Sequence, residues 1–386
     1  MKILEVVEAC EAGVGRHVRG LCQGLVAQNH QLTVAYAPHR TDEPFREFIA
    51  DYRDRIRFVQ LEIERGISPT SDLQAILLLL RLIKDEGPFD VVHGHSSKGG
   101  ALARIAGRCM SAPTVYTPNG LIMASSEISR VAAKVYTLIE YVLGHWATSK
   151  IIAVSEGECE LILKLRLTRV NRVAIVENGI DDRDFEYLSE GSKREDTNQR
   201  PLTFGSIMRF TPQKAPGHLI EAFARLVEMS PSVPLRLVVA GDGELFAEAE
   251  KQVASTGLGE NVSLLGWRTD VREVLSDLDV FVVSSLYEGL SYSTMEAMAA
   301  KLPVVSTNVF GTKETVARVP GNVLVPAGDP QALALGMYQL TIPTEYGSVR
   351  RSLQRIGQAN HDYVRARLRQ SEVTRRTLEI YQALCQ

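Results

Sequence analysis

The sequence is short of cysteine, of aromatic residues, of net charge and of long apolar runs, and these shortages remove several classes of protein. Five cysteines stand scattered at Cys10, Cys22, Cys109, Cys159 and Cys385. They are odd in number and form no CxxC pair, which argues against a disulfide framework or a cysteine zinc site. Acidic residues (46) and basic residues (43) nearly cancel, and a net charge of -3 gives no support for a nucleic-acid-binding surface. The longest apolar run, AILLLLRLI at 75–83, contains Arg81 and falls far short of the ~20 residues needed to cross a bilayer. The opening MKILEVVEAC runs straight into a strand-like segment without the charged and apolar regions of a signal peptide, so a cytoplasmic location is expected.

What is present is apolar bulk in a repeating order. With 386 residues, 45% of them hydrophobic, the chain can bury a large core and exceeds one compact unit. Runs such as KILEVVEA, QLTVAYAP, FDVVHGHS, PTVYTPN and KIIAVSE alternate with helical patterns such as GRHVRGLCQGLVAQ and GGALARIAGRCM. Strand followed by helix, repeated, predicts a parallel sheet covered on both faces. The polar stretch EYLSEGSKREDTNQRP at 186–201 reads as a connection. Six further strand runs follow it: LTFGSIMRF, LRLVVAGDG, VSLLGW, DVFVVSS, PVVSTNV and GNVLVPAG. The expected fold class is α/β, with two doubly wound, Rossmann-like units and a central cleft at the carboxyl ends of their strands. Residues 1–190 and 202–365 form the units, 191–201 the linker and 366–386 a final helix. That helix has apolar residues at Val373, Leu378, Tyr381 and Leu384 and can pack on either unit.

Several short stretches carry chemistry. The loop EACEAGVGRHVRGL places Gly13 and Gly15 between the first strand and helix, where glycine lets a ligand approach the backbone and helix N–H groups favour phosphate. The third glycine of GxGxxG is replaced by Val18, and Gly20 comes two positions too late; a plain tight turn is the alternative. In DVVHGHSSKGG, alternation sets His93 and His95 on one side of a strand end, with His95 the candidate substrate contact and a core histidine the alternative. A third metal ligand is not evident beside them. Arg209 and Lys214 in SIMRFTPQKAPGHLIEAF precede a helix, a placement that suits a diphosphate, with ordinary surface charge as the alternative. In YEGLSYSTMEAMAAKLPVV, Ser293 and Glu296 have the spacing of a capping box. Glu288 lies outside that helix, and carboxylates accept hydrogen bonds from the vicinal hydroxyls of a sugar.

The order of these stretches resembles the retaining glycosyltransferases of family 4, the group 1 enzymes with the GT-B fold. The resemblance rests on the glutamate, seven residues and second glutamate from Glu288 to Glu296, with DVVHGH, AVSEGE, VENGID, VVAGDGE and NVLVPAGDPQALA around it. It implies a nucleotide-diphosphate sugar as co-substrate, a saccharide or lipid-linked acceptor, no cofactor and no divalent metal. Arg209 and Lys214 would hold the diphosphate, Glu288 the transferred sugar, and Glu296 the nucleotide ribose. Backbone at Gly13 to Gly15 and at Gly289, Leu290 and Ser291 would face the donor, and His95 would stand beside the reacting carbon. One departure concerns the acceptor side, where Asn119 in VYTPNGLIM replaces the histidine of many relatives and carries no proton at neutral pH. Residues 98–134 hold Lys98, Arg104, Arg108, Arg130 and Lys134 against Glu127, a basic face of the kind that touches membrane in relatives with lipid-linked acceptors, or else a solvated helix face. The competing readings are a nucleotide-sugar epimerase and an inactive nucleotide-sugar-binding protein on the same scaffold.

Overall fold

The computed structural model describes residues 1–64, 66–124, 128–190, 200–288, 290–343 and 347–386. Two compact units emerge, one of Met1–Gly179 with Gln370–Gln386, the other of Ile180–Arg369. Among the described residues no helix is long and apolar enough to cross a membrane.

The first unit contains strands β1 (Lys2–Val7), β2 (Gln31–Tyr36), β3 (Ile56–Gln60), β4 (Val91–His95), β5 (Thr114–Thr117), β6 (Lys150–Ala153) and β7 (Val173–Ile175). They pair in parallel in the order β3-β2-β1-β4-β5-β6-β7. Helices α1 (Ala12–Ala27), α2 (Glu43–Tyr52), α3 (Pro69–Glu86), α4 (Ser97–Cys109), α5 (Arg130–Trp146) and α6 (Glu156–Lys164) connect them. Residues from β1, β2 and β4 are buried on both faces of this sheet, as a parallel sheet requires. Val18, Leu21 and Leu25 of α1 join a cluster with Ile3, Val7, Val34 and Val91. Leu79 and Leu82 of α3 and Leu102 of α4 join another with Leu4, Val6 and Val92.

The second unit contains β8 (Leu202–Ile207), β9 (Leu235–Ala240), β10 (Val262–Leu264), β11 (Val280–Val283), β12 (Val304–Thr307) and β13 (Val323–Val325). All six follow the runs expected from sequence, in the parallel order β10-β9-β8-β11-β12-β13. Its helices are α7 (Asp182–Ser189), α8 (Pro216–Met229), α9 (Phe246–Thr256), α10 (Val271–Asp277), α11 (Tyr292–Ala299), α12 (Thr312–Val316), α13 (Pro330–Gln339) and α14 (Val349–Arg367). The polar stretch from 186 is not all connection: α7 runs to Ser189, and its Phe185 and Leu188 are buried in the core of the second unit. The expected linker lies mostly outside the described residues.

The last helix, α15 (Gln370–Leu384), belongs to the first unit, where Val373, Leu378 and Tyr381 enter the α1 core. Glycine makes that contact possible. A Cβ on Gly20 would fall 2.7 Å from the Gln370 Oε1, and one on Gly24 2.2 Å from the Thr374 Oγ1.

Candidate functional site

In an open parallel sheet, ligands bind where the strand order reverses, because the loops on either side part there. In the second unit that point lies between β8 and β11. The loop after β8 supplies Arg209 and Lys214, and the loop after β11 supplies Glu288. Lys214 and Glu288, 74 residues apart, form an ion pair, with side chains only 16% and 7% exposed. The Ser285 hydroxyl donates to the same Glu288 oxygen at 2.9 Å. Ser284 donates to the Lys214 carbonyl at 2.7 Å, and Gln213 Nε2 to the Tyr287 carbonyl at 3.0 Å. The two loops are thus laced by backbone as well as by charge, since Leu286 N also donates to the Gln213 carbonyl at 2.8 Å.

Arg209 is exposed and forms no ion pair among the described residues. Its neighbours are fixed: Met208 N donates to the Ala240 carbonyl at 3.0 Å and Phe210 N to the Asp242 carbonyl at 2.9 Å. Gly241, at φ +134°, is required here, because a Cβ would fall 1.7 Å from the Met208 carbonyl oxygen. The AGDGE turn therefore serves as the bed on which the Arg209 loop lies. Lys214 lies two residues before the start of α8, whose cap Ala215 sits in the left-handed region and is followed by Pro216 at the first helical position. Proline suits the first helical position, and free N–H groups there attract anions.

The glutamate frame differs from its sequence reading at one end. The cap of α11 is Ser291, whose Oγ accepts from Thr294 N at 3.4 Å, and Ser293 lies inside the first turn. The capping-box reading of Glu296 fails, since the box needs the glutamate three residues after the cap and Glu296 is five after it. Glu296 sits half-buried on α11. Leu290 turns its side chain into the core, and Gly289 lies outside the described residues. Ser284, Ser285 and Gln213 were missed by the sequence reading, although Ser284 and Ser285 close the run DVFVVSS at a strand's carboxyl end. Trp267, 72% exposed in the loop after β10, was also passed over.

In the first unit the reversal lies between β1 and β4. Gly13 and Gly15 are not in the turn between strand and helix, as expected, but in the first turn of α1. Gly15 is buried, and a Cβ there would fall 2.7 Å from the Cys10 carbonyl; Gly13 is exposed. His95 is wholly buried, and its Nε2 meets Glu5 Oε2 at 2.7 Å. His93 shares that side of β4, its ring 4.1 Å from that of His95, with Nδ1 2.5 Å from the Tyr381 hydroxyl and Nε2 2.8 Å from Thr117 Oγ1. Tyr381 in turn donates to Glu5 Oε1 at 3.1 Å. Burial, reinforced by His95 and His17, pushes His93 well below the usual histidine range. Burial likewise takes His17, whose ring lies 5.4 Å from that of His95, down to about 3. Glu5, His93 and His95 are the one group of possible metal ligands among the described residues. Hydrogen bonds link them with Tyr381 in a chain, His95 to Glu5, Glu5 to Tyr381 and Tyr381 to His93, which ties α15 to the sheet.

Asn119 stands at the carboxyl end of β5 with φ +54°. Its Oδ1 is buried without a partner among the described residues. Glu158 braces this loop, accepting from Gly120 N and from Val154 N at 2.8 Å each, which gives the AVSEGE stretch a structural purpose.

The basic face expected over 98–134 is smaller than its residue count. Lys98 pairs with Asp72. Arg104 is fully buried, 2.8 Å from Glu140 and 3.9 Å over the Tyr116 ring. Arg108, Arg130 and Lys134 are exposed, and Glu127 lies outside the described residues.

Against known proteins, residues 12–184 match the family described as Glycosyltransferase Family 4 and residues 200–341 the one described as Glycosyl transferases group 1. The chain is 29% identical over 283 residues, 72% of each sequence, to an Escherichia coli protein named UDP-Gal:alpha-D-GlcNAc-diphosphoundecaprenol alpha-1,3-galactosyltransferase. It is 27% identical over 295 residues, 74% of this chain and 76% of the relative, to the capsular polysaccharide biosynthesis glycosyltransferase CapM of Staphylococcus aureus. Its fold is shared with Anabaena HepE, crystallised with UDP, at a TM-score of 0.78 and 18% identity, covering 99% of this chain and 100% of that one. The chain belongs to the family 4, group 1 glycosyltransferases and has their GT-B fold.

Proposed function

We propose that the chain transfers a sugar with retention from a nucleotide-diphosphate sugar, a UDP-sugar first among the candidates, to a saccharide or lipid-linked acceptor in the synthesis of a surface polysaccharide or glycolipid. The observation that carries this reading is the Lys214–Glu288 pair at the strand-order reversal of the second unit. The ammonium has three N–H donors. One serves Glu288, which leaves two for diphosphate oxygens beside the start of α8. As the bond to the anomeric carbon breaks, negative charge gathers on the leaving phosphate, and Lys214 with Arg209 stabilises it more than the ground state. These cations and the helix start supply the charge that a divalent metal supplies elsewhere.

Glu288 would accept hydrogen bonds from hydroxyls of the transferred sugar, and Glu296 from those of the ribose. With Lys214 and Ser285 already on it, the Glu288 carboxylate is held as a hydrogen-bond acceptor rather than as a nucleophile. Retention then follows from attack on the face the nucleotide leaves, with a phosphate oxygen taking the acceptor's proton. The exposed Trp267 ring offers a stacking surface for the base. On the acceptor side, Asn119 would contribute hydrogen bonds through its amide, while the wholly buried His95 would hold its strand end through Glu5 rather than touch the sugar. The UDP bound by HepE and the UDP-Gal and diphosphoundecaprenol in the name of the E. coli relative support the choice of donor and acceptor class.

The test is nucleotide release from UDP-, GDP- and ADP-sugars with and without chelator, using a polyprenyl-diphosphate sugar as acceptor and reading the anomeric configuration of the product. Release with one donor, unaffected by chelator and giving a retained anomer, is expected. Folded protein that turns over and binds none of them would refute the reading, and inversion or metal dependence would refute those parts of it.

A further inference from the structure

We infer that the first unit holds a structural zinc ion, ligated by Glu5, His93 and His95 beneath its last helix. The parallel register of β1 and β4 sets Glu5 beside His93, and alternation turns His95 to the same face. One ligand atom from each lies within 4.8 Å of the other two.

Charge is the first argument. Glu5 is wholly buried, and among the described residues only His93 and His95 come within ion-pair distance of it. A carboxylate taken out of water is paired with a cation or coordinates a metal. A dication between these three groups supplies the charge that no lysine or arginine brings. Spacing is the second. Tetrahedral ligands about 2.0–2.1 Å from zinc stand about 3.4 Å from one another. His93 Nδ1 already lies 3.4 Å from Glu5 Oε2. His95 Nε2, 2.7 Å from the same oxygen, has to move out by about 0.6 Å.

The surroundings are those of ligands rather than of a bare cluster. A ligating histidine commonly gives its second N–H to an oxygen, and a ligating carboxylate is itself hydrogen-bonded. With Nδ1 on the ion, His93 keeps Nε2 at 2.8 Å from Thr117 Oγ1, and Glu5 keeps its other oxygen on the Tyr381 hydroxyl at 3.1 Å. The ion replaces two hydrogen bonds, that of His93 Nδ1 with Tyr381 and that of His95 Nε2 with Glu5. His17 is the independent sign. Its ring is 5.4 Å from that of His95 and only 3% exposed, and neither of its nitrogens makes a hydrogen bond of ordinary geometry among the described residues. Buried polar groups in native proteins have partners, and His17 offers a nitrogen for the fourth position. A set of imidazoles with one carboxylate suits zinc.

The ion enters before α15 covers the cluster, since β1, α1 and β4 all precede Tyr381 in the chain. It fastens α15 to the sheet and takes no part in sugar transfer, because its ligands lie in the first unit and the donor groups in the second. The inference therefore stands apart from the proposed function.

The experiment measures metal in the full chain, made in zinc-supplemented medium and passed through gel filtration in EDTA, which strips exposed sites. About one zinc per chain is expected, with X-ray absorption showing nitrogen and oxygen neighbours at about 2.0–2.1 Å and none at the ~2.3 Å of sulfur. Glu5→Gln keeps the shape of the side chain and gives up its charge. It and His17→Phe, each checked for folding by circular dichroism, should retain at least about 10-fold less zinc. A parent chain free of metal from both zinc- and cobalt-supplemented cultures would overturn the inference. So would a sulfur neighbour, or zinc retained in full by folded Glu5→Gln. If neither variant folds, the metal content and neighbour distances of the parent decide. Donor turnover that ignores chelator is expected beside retained zinc, and its failure would strike the proposed function alone.

Discussion

Replacing Lys214 by methionine keeps the length of the side chain and removes its charge, which separates two consequences. The first is local. Glu288, 7% exposed, would keep the Ser285 hydroxyl and lose its counter-charge. Removing one member of a nearly buried pair costs about 3–5 kcal/mol, and the 16% exposure of Lys214 lets water return part of it, so about 2–3 kcal/mol is expected. The second is chemical. Loss of a preorganised donor to developing charge costs about 100- to 1,000-fold in rate. Steady-state kinetics with the preferred donor, beside urea unfolding, measure both. Lys214→Met should lower kcat/KM by that factor and destabilise the protein by the smaller sum. Lys214→Met combined with Glu288→Gln removes the stranded carboxylate and should recover most of the stability and none of the rate. If the double variant recovers the rate, Lys214 serves only to neutralise Glu288. If Lys214→Met alone retains kcat/KM within about threefold, the diphosphate assignment is refuted.

Three further outcomes can be measured independently. Glu140→Leu strands the fully buried Arg104 and should cost about 3–5 kcal/mol in urea unfolding, whereas Glu140→Leu with Arg104→Met should return close to the parent; equal losses in the two would contradict this account of the pair. Gly24→Ala drives a Cβ to 2.2 Å from Thr374 Oγ1 and should cost about 1–3 kcal/mol, restored in part by Thr374→Ala, and no thermal shift in the single variant would show that α1 and α15 are less closely packed. His17 and His93 are held neutral by burial, so the unfolded chain binds more protons than the folded one below about pH 6.5. Stability is then full above that pH and falls as the pH drops toward the lowered values, by about 1.4 kcal/mol per unit for each histidine. His17→Leu should flatten the fall between pH 6.5 and 5, and an unchanged slope would remove His17 from it.

How far the sequence could be read follows from which contacts were local. Strands β8 to β13 are apolar runs with turn residues behind them, and all six were visible. The two strands not expected, β3 and β7, are the edges of the first sheet, where one side of a strand meets solvent and the apolar signal fades; β7 spans only three half-buried residues. Arg209, Lys214 and Glu288 were recognisable as site residues, but the ion pair spans 74 positions and no local rule joins its partners. The cap at Ser291 rather than Ser293 shows why helix starts mislead, because a run containing two serines offers two caps and backbone geometry decides between them. The exposed apolar side chains of α5, Val131 and Leu138 among them, escaped for the opposite reason. Their periodicity reads as an ordinary buried stripe, and only the placement of Arg104 against Glu140 shows which face is inward.

The hydrogen bond that joins Glu5 to Tyr381 spans 376 positions, and it imposes an order of events on biosynthesis. The first strand leaves the ribosome carrying a carboxylate that must be buried, while its hydroxyl partner is made at roughly 5–20 residues per second, on the order of 20 to 80 seconds later. During that interval the second unit, whose residues lie between the two, has everything it needs to fold. The first unit must wait, with the cluster of Glu5, His93 and His95 uncovered by its last helix. A chain that ends before residue 381 therefore has one half able to finish folding and one half left open, its Glu5 carboxylate without the Tyr381 hydroxyl.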